Sequence, residues 1–257
     1  ALVSAYVQDG NTEAAVTYLE NVLTDDSDNT TAGLLLAQVF AIQGEDTSAR
    51  ETYQSILQRD ETAISAYTKY ARYLIAAGES ETALEILEEG IQRNPESFTL
   101  RAVLANSVEQ MGEHERAIEL YQVLLAEAPN ADPIANNLAS LLADHRTDNN
   151  SLQQALALAT RFRQSPLPEY QDTLAWVNFK LKRYDDALPL LQSAAAGRPG
   201  SGVICYHLAR VLQALGSIDR AVATYERAGT LLNADDPLRG QIEEILVTLR
   251  GHLGNGQ

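Results

Sequence analysis

Residues 94–129 read NPESFTLRAVLANSVEQMGEHERAIELYQVLLAEAP. Leu100, Val103, Leu104 and Val108 recur at helical spacing and lay an apolar stripe along one face. Gly112 stops that helix, because glycine tolerates the left-handed conformation of a C-terminal cap. A second helix then places Ala117, Ile118, Tyr121, Leu124 and Leu125 on one face, and Pro129 closes it. Ala105 and Ala117 matter for their smallness, since bulk there would push two antiparallel helices apart. Ala117→Leu is expected to cost about 1–3 kcal/mol through overpacking.

The same unit recurs along the chain. Gly10, Gly44, Gly78 and Gly112 are spaced by 34 residues. Five residues after each stands an alanine (Ala15, Ala49, Ala83, Ala117), and four further on a large side chain (Leu19, Tyr53, Leu87, Tyr121). Pro95 and Pro129 are again 34 apart. Parallel series in phase are the mark of a repeat architecture, in which each helix pair buries its apolar face against the next.

These residues resemble the tetratricopeptide repeat. The fourth unit matches its pattern through Leu104, Ala105, Val108, Gly112, Ala117, Tyr121, Leu124 and Pro129. The third matches through Tyr67, Tyr70, Ala71, Leu74, Gly78, Ala83, Leu87 and Pro95, and the second through Leu36, Ala37, Phe40, Gly44, Ala49, Tyr53 and Ile56. The later units depart in places. In the fifth, Leu138, Ala139 and Leu142 are followed late by Ala155, an insertion of about four residues within DHRTDNNS (144–151). Ser151 with Gln154 there reads as a capping box. The sixth has Leu174, Ala175, Ala187 and Leu191, with Lys182 where glycine is expected and Pro189 near the first turn of its second helix. The seventh runs Leu208, Ala209, Leu212, Gly216, Ala221, Tyr225 and Ala228. A last helix begins at Asp236-Pro237 and shows a polar outer face in Glu243, Glu244 and Arg250.

The resemblance implies an all-α fold: one right-handed superhelical solenoid of helix-turn-helix repeats. Its units are 1–29, 30–63, 64–97, 98–131, 132–167, 168–201 and 202–235, followed by a capping helix at 236–253. By phase the first unit is truncated, so the natural protein is expected to continue upstream. The apolar edge around Leu2, Val3 and Tyr6 then invites self-association.

In such a fold the first helix of each pair lines a concave groove. Trp176, the chain's only tryptophan, stands about 200° round the helix from the packing Leu174, which directs it into that groove; the alternative is that it packs on a neighbouring helix as extra core. The same phase selects Asp172, Phe179 and Lys180 in the sixth unit and Tyr206, Arg210 and Gln213 in the seventh. Asn136, Ser140 and Asp144 follow in the fifth unit, Asn106, Glu109 and Gln110 in the fourth, and Thr68 and Arg72 in the third. Aromatic residues and arginine are frequent binding hot spots, so Trp176, Phe179, Tyr206 and Arg210 are the expected contact patch for a protein or peptide ligand. Chaperone-binding members hold a C-terminal carboxylate with groove lysines and asparagines. The corresponding places here are Leu34, Thr68, Ala102, Asn136, Asp172 and Tyr206, which do not assemble that clamp. Members attached to sugar transferases carry a ladder of groove asparagines. Leu35, Lys69, Val103, Asn137, Thr173 and His207 match it once.

Composition narrows the partner. The net charge is −16, which opposes nucleic acid and anionic lipid alike. Residues 1–131 hold 22 acids against 7 bases and residues 132–257 hold 13 against 12, so the net charge falls from −15 to −1 between the halves. No apolar run approaches the roughly 18 residues of a membrane span. The first residues carry no basic stretch of a signal peptide.

Chemistry is not evident. His114, His145, His207 and His252 share no ligand spacing. Cys205 sits at a packing position, and no phosphate loop, nucleophile elbow or zinc-helix motif is present. The reading is a non-catalytic interaction scaffold without cofactor or metal. Strings such as NNLASLLAD (136–144) and DTLAWVNFKLKRYDDALPLL (172–191) also resemble long bacterial tetratricopeptide proteins that accompany polysaccharide secretion and exosortase-type sorting. That resemblance implies the alternative of a self-assembling envelope component.

Overall fold

Gly10, Gly44, Gly78, Gly112 and Gly216 all adopt φ of 72–83°, the left-handed region, at the same point of successive helix pairs. There the chain closes one helix and starts the next. The residue after each glycine donates back to the finished helix, as Glu113 N does to Val108 O at 3.1 Å and Ser217 N to Leu212 O at 2.9 Å. Lys182 takes the equivalent place with φ of 60°, and Arg183 N still closes on Asn178 O at 2.8 Å.

The computed structural model describes residues 2–254, with side chains through Gly251. Ala1 and the side chain of His252 lie outside the described residues. The chain is all helical: α1 (Leu2–Gln8), α2 (Thr12–Asp25), α3 (Thr30–Gln43), α4 (Asp46–Arg59), α5 (Ile64–Ala76), α6 (Ser80–Arg93), α7 (Phe98–Gln110), α8 (His114–Glu127), α9 (Asp132–His145), α10 (Asn149–Ala159), α11 (Pro168–Lys180), α12 (Tyr184–Gly197), α13 (Gly202–Ala214), α14 (Ile218–Leu231) and α15 (Pro237–Gly254). Odd-numbered helices through α13 are the first members of pairs, and α15 packs on α14. Two compact units result, residues 1–124 and 125–257. In the first, α3, α5 and α7 are successive neighbours; in the second, α9, α11 and α13 are.

The small-residue series is the seam of each pair. Ala15, Ala49, Ala83, Ala117, Ala155, Ala187 and Ala221 are fully buried. The large residues four positions on, Leu19, Tyr53, Leu87, Tyr121 and Tyr225, are buried beside them. A second series ties pairs together along the second helices. Arg59 donates to Ser27 O, Arg93 pairs with Glu61 at 2.6 Å, and Arg161 donates to Pro129 O at 2.8 Å. Each reaches to a residue 32 positions earlier, in the turn before its own pair.

Two local expectations are corrected. The cap of α10 is Asp148, whose Oδ1 accepts from Ser151 N at 2.9 Å; Ser151 is itself a buried third residue of the helix. Hydrogen bonds from Ser151 hold the Asp148 carboxyl below its usual range. The insertion is taken up as nearly one extra helical turn. Ala155 is the seventh residue of α10, whereas its counterparts are the fourth residue of their helices, and a full turn keeps the apolar face in phase. Pro189 is the sixth residue of α12, inside the helix and beyond the first-turn amides that lack partners. It is tolerated because the carbonyl left without a donor belongs to exposed Asp185, where water can serve.

Candidate functional site: the first-helix face of the second unit

α9, α11 and α13 lie side by side, and their polar and aromatic residues meet across them. The indole Nε1–H of Trp176 on α11 donates to Asp144 Oδ1 on α9 at 2.6 Å. Lys180 Nζ lies 3.3 Å from the same oxygen and 5.0 Å from the Trp176 ring centre. Phe179 stacks on the indole at 4.7 Å with 9° between planes, and His207 on α13 stacks on it at 3.9 Å with 18°. His207 Nδ1 is 2.8 and 3.0 Å from the two Asp172 oxygens. A carboxylate only accepts, so that ring nitrogen carries the hydrogen. The two side chains are 14% and 13% exposed, and the orientation of the imidazole beneath the indole is thereby fixed.

Beside this stack, Arg210 Nη1 donates to the Tyr206 hydroxyl at 2.7 Å. Its guanidinium lies 5.3 Å from the Phe179 ring centre and 5.7 Å from that of Tyr206. Tyr225 of α14 donates from its hydroxyl to Gln213 Oε1 at 2.7 Å, and burial pushes the Tyr225 phenol well above its usual range. Gln213 is therefore engaged with the interior of its own pair. The first unit repeats this bond at the same spacing, Tyr121 to Glu109 Oε2 at 2.7 Å. Burial raises the Glu109 carboxyl above its usual range, against the opposing effects of the Tyr121 hydroxyl and of His114.

Spacing on a single helix put Asp172, Trp176 and Tyr206 at open positions. The structure instead buries them, at 9%, 6% and 6% exposure, because side chains of the neighbouring first helices close over them. Phe179, Lys180, Arg210, Gln213, Asn136 and Ser140 keep partial exposure on the same face. Asn106 and Arg72 belong to the first unit, where both are exposed; Asn106 accepts from Gln110 Nε2 at 3.1 Å. His207 was not among the site residues read from sequence. Its signal was spacing: it stands 35 residues after Asp172, one repeat plus one.

Among the described residues, no three His, Cys, Asp or Glu side chains gather as a metal site, and no helix is long and apolar enough to cross a membrane. Cys205 is buried, and burial raises its thiol above the usual range.

A tetratricopeptide repeat profile matches residues 74–144 and 179–238, and another matches residues 1–64. The chain belongs to the tetratricopeptide repeat family. No curated protein matches it significantly. Among solved structures it is similar to TTC0263, a thermophilic tetratricopeptide protein of Thermus thermophilus, at 22% identity and TM-score 0.59, covering 71% of this chain and 98% of that one. It is also similar to a tetratricopeptide protein of Parabacteroides merdae, at 14% identity and TM-score 0.66, covering 96% of each chain. YrrB, a tetratricopeptide protein with an unusual peptide-binding site, aligns at 14% identity and TM-score 0.52, covering 75% of this chain and 97% of that one. At these identities the likeness is one of fold.

Proposed function

We propose that the chain is a non-catalytic scaffold that holds a peptide or protein segment in the groove lined by its first helices, with the face of α9, α11 and α13 as the main contact surface. The observation that carries this reading is the locked aromatic stack under a partly exposed rim of Phe179, Lys180 and Arg210. Side chains already fixed by stacking and hydrogen bonds lose little freedom when a ligand settles on them. The peptide-binding site of YrrB, on a similar fold, is consistent with it. A photo-crosslinking residue introduced at Ser140 or Ala214 should capture the bound partner, while one at exposed Gln192 on α12 should not. Capture from Gln192 alone would place binding on the other face.

A second reading rests on the opposite end of the chain. Shallow open clefts of about 280 and 260 Å3 flank α1, and Leu2, Tyr18 and Ile42 beside them are 46%, 41% and 59% exposed. An apolar edge of this kind supports self-association. Concentration-dependent sedimentation that Ile42→Glu abolishes would support it, and a monomer at every concentration would remove it.

A further inference from the structure

The chain carries 35 acidic residues against 19 basic ones. In the second unit Arg161, Arg198, Arg239 and Arg250 each sit in an ion pair. On the first-helix face Lys180 is matched by Asp144 and His207 by Asp172. Arg210 differs from these two neighbours on the same face. Among the described residues its guanidinium meets the Tyr206 hydroxyl and the faces of Phe179 and Tyr206, and no carboxylate. Only Nη1 is spent on a protein hydrogen bond, which leaves Nε and Nη2 with their hydrogens available. The group is partly withdrawn from water and held by rings. A planar guanidinium with an unspent fork is matched by a carboxylate, which it grips through two parallel hydrogen bonds.

We propose that Arg210 is the anchor of an acidic subsite: it takes the carboxylate of an internal Asp or Glu in the bound segment, and an apolar neighbour of that residue lies over Phe179. This rests on the scaffold reading and names the chemistry of its ligand. Charge allows it where it sits, because residues 132–257 are nearly neutral and the repulsive charge of −15 is carried by residues 1–131. The assignment is to an internal side chain. Two places at which chaperone-binding relatives hold a chain terminus, Asp172 and Tyr206, are buried and engaged here.

The test is selection of a random linear peptide library, fused at its C-terminus to the display protein, against the whole chain. Selected sequences are then synthesised with acetylated and amidated ends and measured by fluorescence anisotropy. The binders should share an acidic residue whose change to Gln or Asn weakens binding about tenfold or more. Arg210→Gln should produce the same loss, Arg210→Lys part of it, and the paired changes no more than either alone. Arg210→Glu should recover affinity when the acidic residue becomes Arg. Peptides that bind without an acidic residue, or that bind Arg210→Gln as tightly as the wild type, overturn this inference and leave the scaffold reading standing if Ser140→Arg abolishes them. Binding that needs a free C-terminal carboxylate overturns the internal assignment. A library without any binder overturns both readings.

Discussion

Trp176 Nε1–H and Asp144 Oδ1 meet at 2.6 Å across two first helices, so the chain's only tryptophan is tied to the preceding repeat by its one polar atom. Its ring stacks with Phe179 and with His207 of the following repeat. One side chain thus reports on three consecutive repeats.

Removing the acceptor leaves a buried indole N–H without a partner. Asp144→Ala should destabilise the second unit by about 1–3 kcal/mol. Urea unfolding followed by Trp176 fluorescence measures this. An unchanged midpoint would mean that water replaces the carboxylate.

Glu109 and Gln213 occupy the same place relative to Tyr121 and Tyr225, and only Glu109 is ionisable. Its carboxyl is raised above the ordinary 4.5, burial being the first cause. Its contribution to stability is therefore complete below pH 4.5 and lost as pH rises through the raised value. Glu109→Gln keeps an acceptor for Tyr121 and removes that loss. The variant should be more stable than the wild type at neutral pH, with the advantage shrinking as pH falls toward 4.5; melting temperatures across that range decide it.

Lys182 holds a left-handed backbone conformation that its five glycine counterparts adopt without a side-chain clash. Lys182→Gly should raise stability by about 1 kcal/mol in chemical denaturation. A loss would show that the lysine makes a contact worth more than the strain.

Gly90 is in the opposite situation. A Cβ there would stand 2.6 Å from the ring of Tyr67, which is fully buried. Gly90→Ala should destabilise by about 1–3 kcal/mol, although alanine is the better helix former. A thermal melt with a stabilising shift would mean that the ring moves aside freely.

What the sequence disclosed, and what it hid, follows from the range of each interaction. The glycine and alanine series were legible because each residue answers to its own helix pair, and the repeat copies that local problem every 34 residues. The face carrying Phe179, Lys180 and Arg210 followed from the same phase. The burial of Trp176 stands in the sequence only as the alternative, because an angle on α11 alone cannot register a ring that arrives from α13. Neither could it register the pairing of His207 with Asp172, which depends on two first helices lying side by side. Asp148 as a cap is hidden from the repeat spacing, because the insertion moves the start of α10 relative to its alanine. The arginine series at 59, 93 and 161 was visible in the spacing, but its meaning lies in carbonyls and carboxylates of the preceding turns.

The proposed scaffold places recognition on the first helices of the second unit. Hydrogen–deuterium exchange of the whole chain, with and without a saturating peptide selected from the display library, tests that placement. Slowed exchange concentrated in α9, α11 and α13 is the predicted result. Slowed exchange confined to α10, α12 and α14, with the first helices unchanged, would contradict it.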